Sequence, residues 1–241
     1  MAPIRKGDGT PLEIPGVSEV RSGDGRVFFE GDAIPDSDVY LHDDWGDNKL
    51  QDREDSGTTT HNGVEGVYRP EWDQVNSDDL PSASNEELVV ERDEYMITDV
   101  NINLNEAVTW EFNNVDVSNV DGRTFVITLF AEDDTVITGD TFDAGAAHEG
   151  YAILFRPEFE TQRLREVDEN GNTTDLITWD IDTETFNATV TRTSSGEFEV
   201  IIDGDSQGTE TDTTHETANY VSAGVRDADD PMVTLNELKI S

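Results

Sequence analysis

The chain contains no cysteine, only three lysines and no long apolar run. Without cysteine it forms no disulfide and no thiolate metal site, so its redox compartment stays open. No hydrophobic stretch approaches the ~20 residues of a membrane-spanning helix, and we expect no membrane insertion. The first residues have no apolar segment like that of a signal peptide, which predicts a protein made in the cytoplasm without such export.

Positive charge is also scarce, because 15 Lys and Arg residues face 55 Asp and Glu residues, a net charge of −40 over 241 residues. No basic stripe is available to meet phosphates, so we expect no nucleic-acid partner. Self-repulsion at this charge density destabilises the compact state in dilute buffer. Molar salt shortens the Debye length to about 3 Å and removes most of that penalty.

Short strands separated by turn signals fill the chain from about residue 95 onward. Alternation of apolar and polar residues is clearest in 100–104 and 198–202, and Asp203-Gly204 is typical of a tight hairpin turn. No window has a helical stripe, and Trp110 and Trp179 are expected in the core. The pattern predicts an all-β, antiparallel two-sheet jelly-roll sandwich. The predicted strands are 96–104, 108–112, 124–131, 151–155, 163–167, 176–179, 186–191, 198–202, 220–225 and 233–240.

The first 38 residues differ from the rest, because they contain four prolines, many glycines and one short apolar stretch. This composition predicts an extended N-terminal docking arm over residues 1–38. The alternative is a loosely packed tail. Residues 39–241 are predicted to form one jelly-roll domain, in which the turn-rich segment 52–62 is exposed.

The second half resembles the concanavalin A-like lectin/glucanase superfamily in its laminin G-like, jelly-roll form. The likeness runs from residue 150 to 241, is strongest over 189–204, and extends toward the segments 66–72 and 85–88. The scarcity of lysine and excess of acids resemble proteins of salt-in haloarchaea and their viruses. The alternative for this composition is an acidic, calcium-rich secreted protein.

Together these likenesses resemble a virion appendage protein of a haloarchaeal tailed virus. They imply a non-enzymatic capsid turret or tail fibre subunit on the virion surface, presenting a lectin-like sandwich to a host-surface glycan or glycoprotein. Other virion proteins would bind residues 1–38, and the chain would form a homo-oligomer. Two alternatives stay open, a glycan-active hydrolase of the jelly-roll class and a haloarchaeal cell-surface carbohydrate-binding module.

Two sites follow from the residues and the resemblance. Glycan binding needs aromatic rings beside polar groups, which Tyr68, Arg69 and Trp72 offer, with Trp72 as the expected exposed ring. Laminin G-like sandwiches often bind calcium, and a site is expected at Asp227, Asp229 and Asp230, although Asn236 stands where many relatives have a carboxylate ligand.

No catalytic residue is predicted. The run Asp180-Ile181-Asp182-Thr183-Glu184 has the alternation that retaining glycosidases place on one strand, but it lies among turn-like residues. The four histidines, His42, His61, His148 and His215, are isolated and have no metal-ligand spacing.

The charge imbalance predicts a salt-dependent fold. We expect the melting temperature, followed by circular dichroism, to rise steadily from millimolar to molar salt, because screening removes carboxylate repulsion. A melting temperature that stays constant over this range would contradict the prediction.

Overall fold

The computed structural model describes residues 39–53, 56–61, 64–74, 80–91, 94–118, 124–132, 134, 148–155, 161–181, 183–226 and 233–241, and the backbone of 19–21 and 27–30. These residues form β-strands and no helix, so none of them belongs to a helix that could cross a membrane. The strands are β1 Glu19–Arg21, β2 Val27–Glu30, β3 Leu41–Asp43, β4 Gly57–His61, β5 Val64–Tyr68, β6 Asp73–Gln74, β7 Ser82–Ser84, β8 Glu87–Val90, β9 Tyr95–Asp99, β10 Val108–Asp116, β11 Thr124–Ala131, β12 Gly150–Phe155, β13 Thr161–Val167, β14 Thr173–Asp180, β15 Thr185–Arg192, β16 Glu197–Ile202, β17 Asp205–Thr211, β18 Tyr220–Arg226, β19 Val233–Leu235 and β20 Glu237–Ile240.

Two sheets form the sandwich. The large sheet runs in the order β17-β16-β15-β10-β20-β3-β5-β4, with β19, β8 and β7 branching from β10. The small sheet runs β14-β13-β12-β11-β18-β9-β6. All strand pairs are antiparallel except β3 with β5. This architecture confirms the predicted all-β, antiparallel-dominated two-sheet sandwich.

The alternation of side chains along each strand places the core between the sheets. In β10 the residues Val108, Trp110 and Phe112 are buried, while the residues between them are partly exposed. The rings of Trp110 and Phe130 stack at 5.9 Å, which joins the large sheet to the small one. Trp179 is also buried, so both tryptophans expected in the core are there.

Most strands predicted after residue 95 are confirmed within a few residues, and 124–131 agrees at both ends. The prediction 96–104 is wrong in its second half, because β9 ends at Asp99 and the alternating residues 100–104 form no strand, although Val100 and Ile102 donate to the backbone of Asn219 and Ala218. The closing segment 233–240 differs, because it divides at Asn236 into β19 and β20. Both strands pair with β10, but β19 also pairs with β8, whereas β20 also pairs with β3. Because of the break, one short segment contributes a strand to each of two branches of the large sheet.

The turn at Asp203-Gly204 is the tight hairpin that the sequence predicts. Ile202 pairs with Asp205, and both turn residues have positive φ, 49° and 89°. This geometry is that of a primed turn, which matches the right-handed twist of the flanking strands. A Cβ on Gly204 would meet nothing within 4 Å, so the position favours glycine because of φ alone.

The segment 52–62 was expected to be turn-rich and exposed, and this expectation holds only in part. Asp52, Ser56 and Thr58 are exposed, but Arg53, Thr59 and His61 are buried. Gly57–His61 is strand β4 at the edge of the large sheet, and Arg53 is only 5% exposed. At the N-terminus, β1 and β2 pair with each other in a separate two-stranded sheet. The docking arm over 1–38 and the domain boundary at 39 stay predictions.

Candidate functional site

A buried ion pair organises the loop that follows β3. The Arg53 guanidinium donates to both carboxylate oxygens of Asp43, at 2.5 and 2.9 Å, and to both of Asp47, at 2.7 and 2.9 Å. Asp43 also accepts from Trp72 Nε1–H at 2.8 Å and from the backbone N–H of Trp45 at 3.0 Å. Because these polar groups have partners in the low-dielectric interior, the network stabilises one loop conformation.

Protonation equilibria in this cluster reflect the competition between burial and pairing. Burial raises the pKa of Asp43 to about 6, and hydrogen bonds from Arg53, Trp72 and Trp45 oppose that rise. Partial burial also acts to raise the pKa of Asp47, but the hydrogen bonds and the charge of Arg53 outweigh this effect and lower the pKa overall. The deeper carboxylate therefore holds its charge less readily than its neighbour.

Beside this network lies a partly exposed group that we call the polar face: His42, Asp44, Tyr68, Arg69 and Glu237. Arg69 Nε donates to Asp44 Oδ1 at 2.7 Å, and Tyr68 O–H donates to Asp44 Oδ2 at 3.2 Å. The Arg69 guanidinium lies 5.1 Å from the centroid of the Tyr68 ring. His42 Nε2 lies 2.7 Å from Glu237 Oε1.

Strand register explains why these residues meet. His42 pairs with Tyr68 across β3 and β5, and Lys239 pairs with His42 across β20 and β3. Residues opposite one another in register project from the same face of a sheet. Arg69 follows β5 directly with φ of 48°, and its N–H donates to His42 O at 2.7 Å. The polar face is thus built on strands and one constrained loop residue.

The charges of the polar face are partly compensated, because one guanidinium, Arg69, stands beside two carboxylates, Asp44 and Glu237. Partial burial acts to raise the pKa of Asp44, but hydrogen bonds from Arg69, Gly46 N–H and Tyr68, with the Arg69 charge, lower it overall. Burial and the Asp44 carboxylate raise the pKa of Tyr68 to about 12. At neutral pH the face therefore presents the Asp44 carboxylate as a fixed acceptor and the Arg69 guanidinium as a fixed donor, while the buried Tyr68 phenol keeps its proton and donates it to Asp44.

The three residues predicted from the sequence to bind a glycan lie in different environments. Tyr68 and Arg69 lie together on the polar face, where Arg69 is 14% exposed. Trp72 is fully buried, and its ring packs 5.8 Å from that of Trp45. The expectation that Trp72 is an exposed ring is therefore wrong, because its N–H is used by buried Asp43. Glycan contact by Tyr68 and Arg69 stays a prediction.

The other predicted positions lie apart from the polar face. Asp227, Asp229 and Asp230, the expected calcium ligands, lie outside the described residues. The acidic run considered for catalysis does not lie on one strand, because β14 ends at Asp180 and β15 begins at Thr185.

A second cluster was missed by sequence reasoning. Glu132, Glu149 and His215 offer ligand atoms that all lie within 4.8 Å of one another. His215 is 3% exposed, and its Nε2 lies 3.2 Å from Glu166 Oε1. These residues come from two strand ends, a strand and a loop, so no short sequence motif announces them. Only correct strand pairing could have brought them together in advance.

Comparisons with known proteins identify the fold. No family model matches the sequence, and no curated protein sequence matches it. Among solved structures, the chain is similar to the carbohydrate recognition domain of Emp47p, with a TM-score of 0.53 and 10% identity over 80% of this chain and 92% of that one. It is also similar to the exoplasmic/lumenal domain of VIP36 in its Ca²⁺/Man3GlcNAc-bound form, with a TM-score of 0.51 and 16% identity over 70% and 84%.

A third similar structure is the binding domain of botulinum neurotoxin serotype D, with a TM-score of 0.50 and 14% identity. The alignment covers 77% of this chain and 47% of the neurotoxin domain's chain. This chain therefore spans about half the length of that one. At such identities the likeness establishes the fold alone. The jelly-roll sandwich expected from the sequence is confirmed. The resemblances to lectins and to a viral protein stay predictions as far as function is concerned.

The buried ion pair yields a stability prediction with a defined pH dependence. Arg53→Met leaves the Asp43 carboxylate without its cation, and we expect a loss of about 3–5 kcal/mol in unfolding free energy at pH 7. The folded-state pKa of Asp43 then lies further above its unfolded value of about 3.9, so stability falls as pH rises through that interval. Urea unfolding in molar salt should therefore show that Arg53→Met loses less unfolding free energy at pH 5 than at pH 7, each relative to the unaltered chain.

The matched control is Arg69→Met, which removes a guanidinium from Asp44, a carboxylate whose side chain is 34% exposed. Solvent replaces the lost partner there, so the expected cost is about 1 kcal/mol or less. Equal losses in the two variants, or a deficit of Arg53→Met that does not change with pH, would contradict the assigned role of Asp43.

Proposed function

We propose that this protein is a glycan-binding, lectin-like module whose ligand contacts the polar face. The supporting observation is the jelly roll that the chain shares with the carbohydrate recognition domain of Emp47p and with the VIP36 domain, which was solved bound to Man3GlcNAc. Fold likeness does not locate a ligand. The polar face is favoured because it is the part of the predicted glycan site that reaches the surface.

The chemistry of the polar face suits sugar hydroxyls. Asp44 and Glu237, whose side chains are 34% and 31% exposed, accept hydrogen bonds, and Arg69 donates them. Their mutual contacts hold these groups in fixed directions, which lowers the entropy lost on binding. Tyr68 is 4% exposed, so its ring supports Arg69 and offers little surface for stacking on a sugar.

Charge favours a neutral ligand. The polar face pairs Asp44 with Arg69 locally, but the whole chain carries a net charge of −40. Salt screens the distant charges, but an acidic sugar would still meet the partly buried carboxylates of Asp44 and Glu237 at contact distance, where screening is weakest, whereas an uncharged one would not be repelled. We therefore propose a neutral glycan as the ligand class.

The test is a glycan array in molar salt, followed by calorimetry with the strongest ligand. Arg69→Met and Asp44→Asn should each weaken binding about tenfold or more, because each removes a charge-assisted hydrogen bond worth about 1.5–3 kcal/mol. The matched control is Arg163→Met on the small sheet, which breaks a similar, partly exposed pair with Asp175 and should leave affinity unchanged. Equal affinity in all three variants, or preference for acidic glycans, would contradict the proposal.

We propose further that the module belongs to the surface of a virus of haloarchaea, as a turret or tail fibre subunit docked through residues 1–38. This proposal is supported by the acidic composition and by the proline-rich N-terminal segment. Antibodies against residues 39–241 should label purified particles by electron microscopy. Recovery of the chain only from cell envelopes would instead favour a cell-surface carbohydrate-binding module.

A further inference from the structure

One end of the small sheet gathers three glutamates around a buried histidine. Glu132 follows β11, Glu149 precedes β12, and Glu132 N–H donates to Glu149 O at 3.3 Å, so their backbones extend the strand ladder. Glu166 lies in β13, opposite Tyr151 of β12. His215 comes from the segment that connects β17 to β18. The fold thus brings four separate parts of the chain to one place.

The histidine has two different environments at its two ring nitrogens. Nε2 lies 3.2 Å from Glu166 Oε1, within hydrogen-bond distance. Nδ1 lies 3.7 Å from Glu132 Oε1 and 3.9 Å from Glu149 Oε1, too far for hydrogen bonds. If Nε2–H donates to Glu166, the lone pair of Nδ1 points toward two carboxylates. That arrangement is repulsive unless a proton on Nδ1 or a metal ion lies between them, and at 3.7 and 3.9 Å the carboxylates are too far away to accept a hydrogen bond from Nδ1–H.

The spacing suits a coordinated metal ion. Bonds of about 2.0–2.2 Å from zinc to histidine nitrogen and carboxylate oxygen place neighbouring ligand atoms roughly 3–4 Å apart. The Nδ1 distances to the two glutamates fall in this range. A carboxylate that accepts from the other nitrogen of a metal-binding histidine fixes the ring and its tautomer, and Glu166 stands in that position.

Packing holds the histidine in place. The ring of Tyr151 meets the ring of His215 edge-on at 5.3 Å. Asp212 accepts hydrogen bonds from Tyr151 O–H and, at 2.8 Å, from Thr214 N–H, which fixes the start of the segment. At its end, Asn219 N–H donates to Ala131 O at 2.9 Å and Asn219 Nδ2 donates to Glu132 O at 2.8 Å. The same segment therefore positions both His215 and Glu132.

We propose that Glu132, Glu149 and His215 bind a divalent transition-metal ion, of which zinc is the probe, with Glu166 orienting His215. Nitrogen beside carboxylate oxygen suits zinc and its neighbours, whereas calcium prefers oxygen ligands alone. The site differs from the calcium loop expected at Asp227, Asp229 and Asp230. Its role is to join the β17–β18 segment to the end of the small sheet.

The experiment measures Zn²⁺ and Co²⁺ binding to the whole, chelator-treated chain by calorimetry in molar potassium nitrate, which suppresses loose binding to surface carboxylates. We expect one site, and a Co²⁺ visible absorption spectrum that is altered in His215→Gln. Glu132→Gln and Glu149→Gln should weaken Zn²⁺ binding by at least tenfold. Glu166→Gln should weaken it by about 10–100-fold through loss of the orienting contact.

The matched control is Glu197→Gln, an exposed glutamate on the large sheet, which should leave Zn²⁺ affinity unchanged. Each variant is first checked for an unchanged far-ultraviolet spectrum and melting transition without metal. The proposal is overturned if Zn²⁺ fails to bind, or if Ca²⁺ binds more tightly than Zn²⁺. It is also overturned if His215→Gln and Glu132→Gln bind Zn²⁺ as tightly as the unaltered chain does. Because no glycan is present, this result is independent of the glycan experiment.

Discussion

Carboxylates outnumber cationic side chains by 55 to 15, so the structure depends on where its few cations are placed. Arg53 lies entirely inside, between Asp43 and Asp47, where an unpaired carboxylate would be most costly. Arg163 and Arg165 both contact Asp175 on the small sheet. Arginine suits this use because its planar group makes several hydrogen bonds and keeps its charge when buried. The exposed acids are left to water and dissolved ions.

This constraint also explains which parts of the fold could be predicted from the sequence. From residue 95 onward, local alternation and turn residues decide most strand positions, so 124–131 and the Asp203-Gly204 hairpin agree with the structure, although the alternating residues 100–104 form no strand. Before residue 95 the decisive contact joins Asp43, Arg53 and Trp72, which are distant along the chain. Polar residues around Arg53 look like an exposed turn locally. Arg53 is buried instead, because its ion pairs with Asp43 and Asp47 compensate the cost of removing its charge from water.

The two candidate sites could be predicted from the sequence to different extents. Tyr68 and Arg69 are adjacent in sequence, so a search for aromatic and basic neighbours finds two of the five residues of the polar face. His42 and Glu237 join it only through the β3–β20 pairing, which no local pattern predicts. For His215 no neighbour in sequence belongs to its cluster. A histidine that looks isolated in the sequence acquires its partners from strand ends, whose meeting depends on sheet order.

The sites differ most in how their charge is compensated. On the polar face Asp44 has Arg69, so the protein supplies its own cation and the geometry is complete. At His215 three glutamates surround one imidazole, and even a protonated ring leaves an excess of negative charge. Dissolved salt screens diffuse repulsion between such groups, but a screening atmosphere has no fixed direction. Nδ1 of His215 lies too far from both carboxylates for a hydrogen bond, and the metal ion that we propose there supplies a directed partner for all three groups. The shortage of cationic side chains thus leads from a salt-dependent surface to one site at which a cation from solution becomes part of the fold.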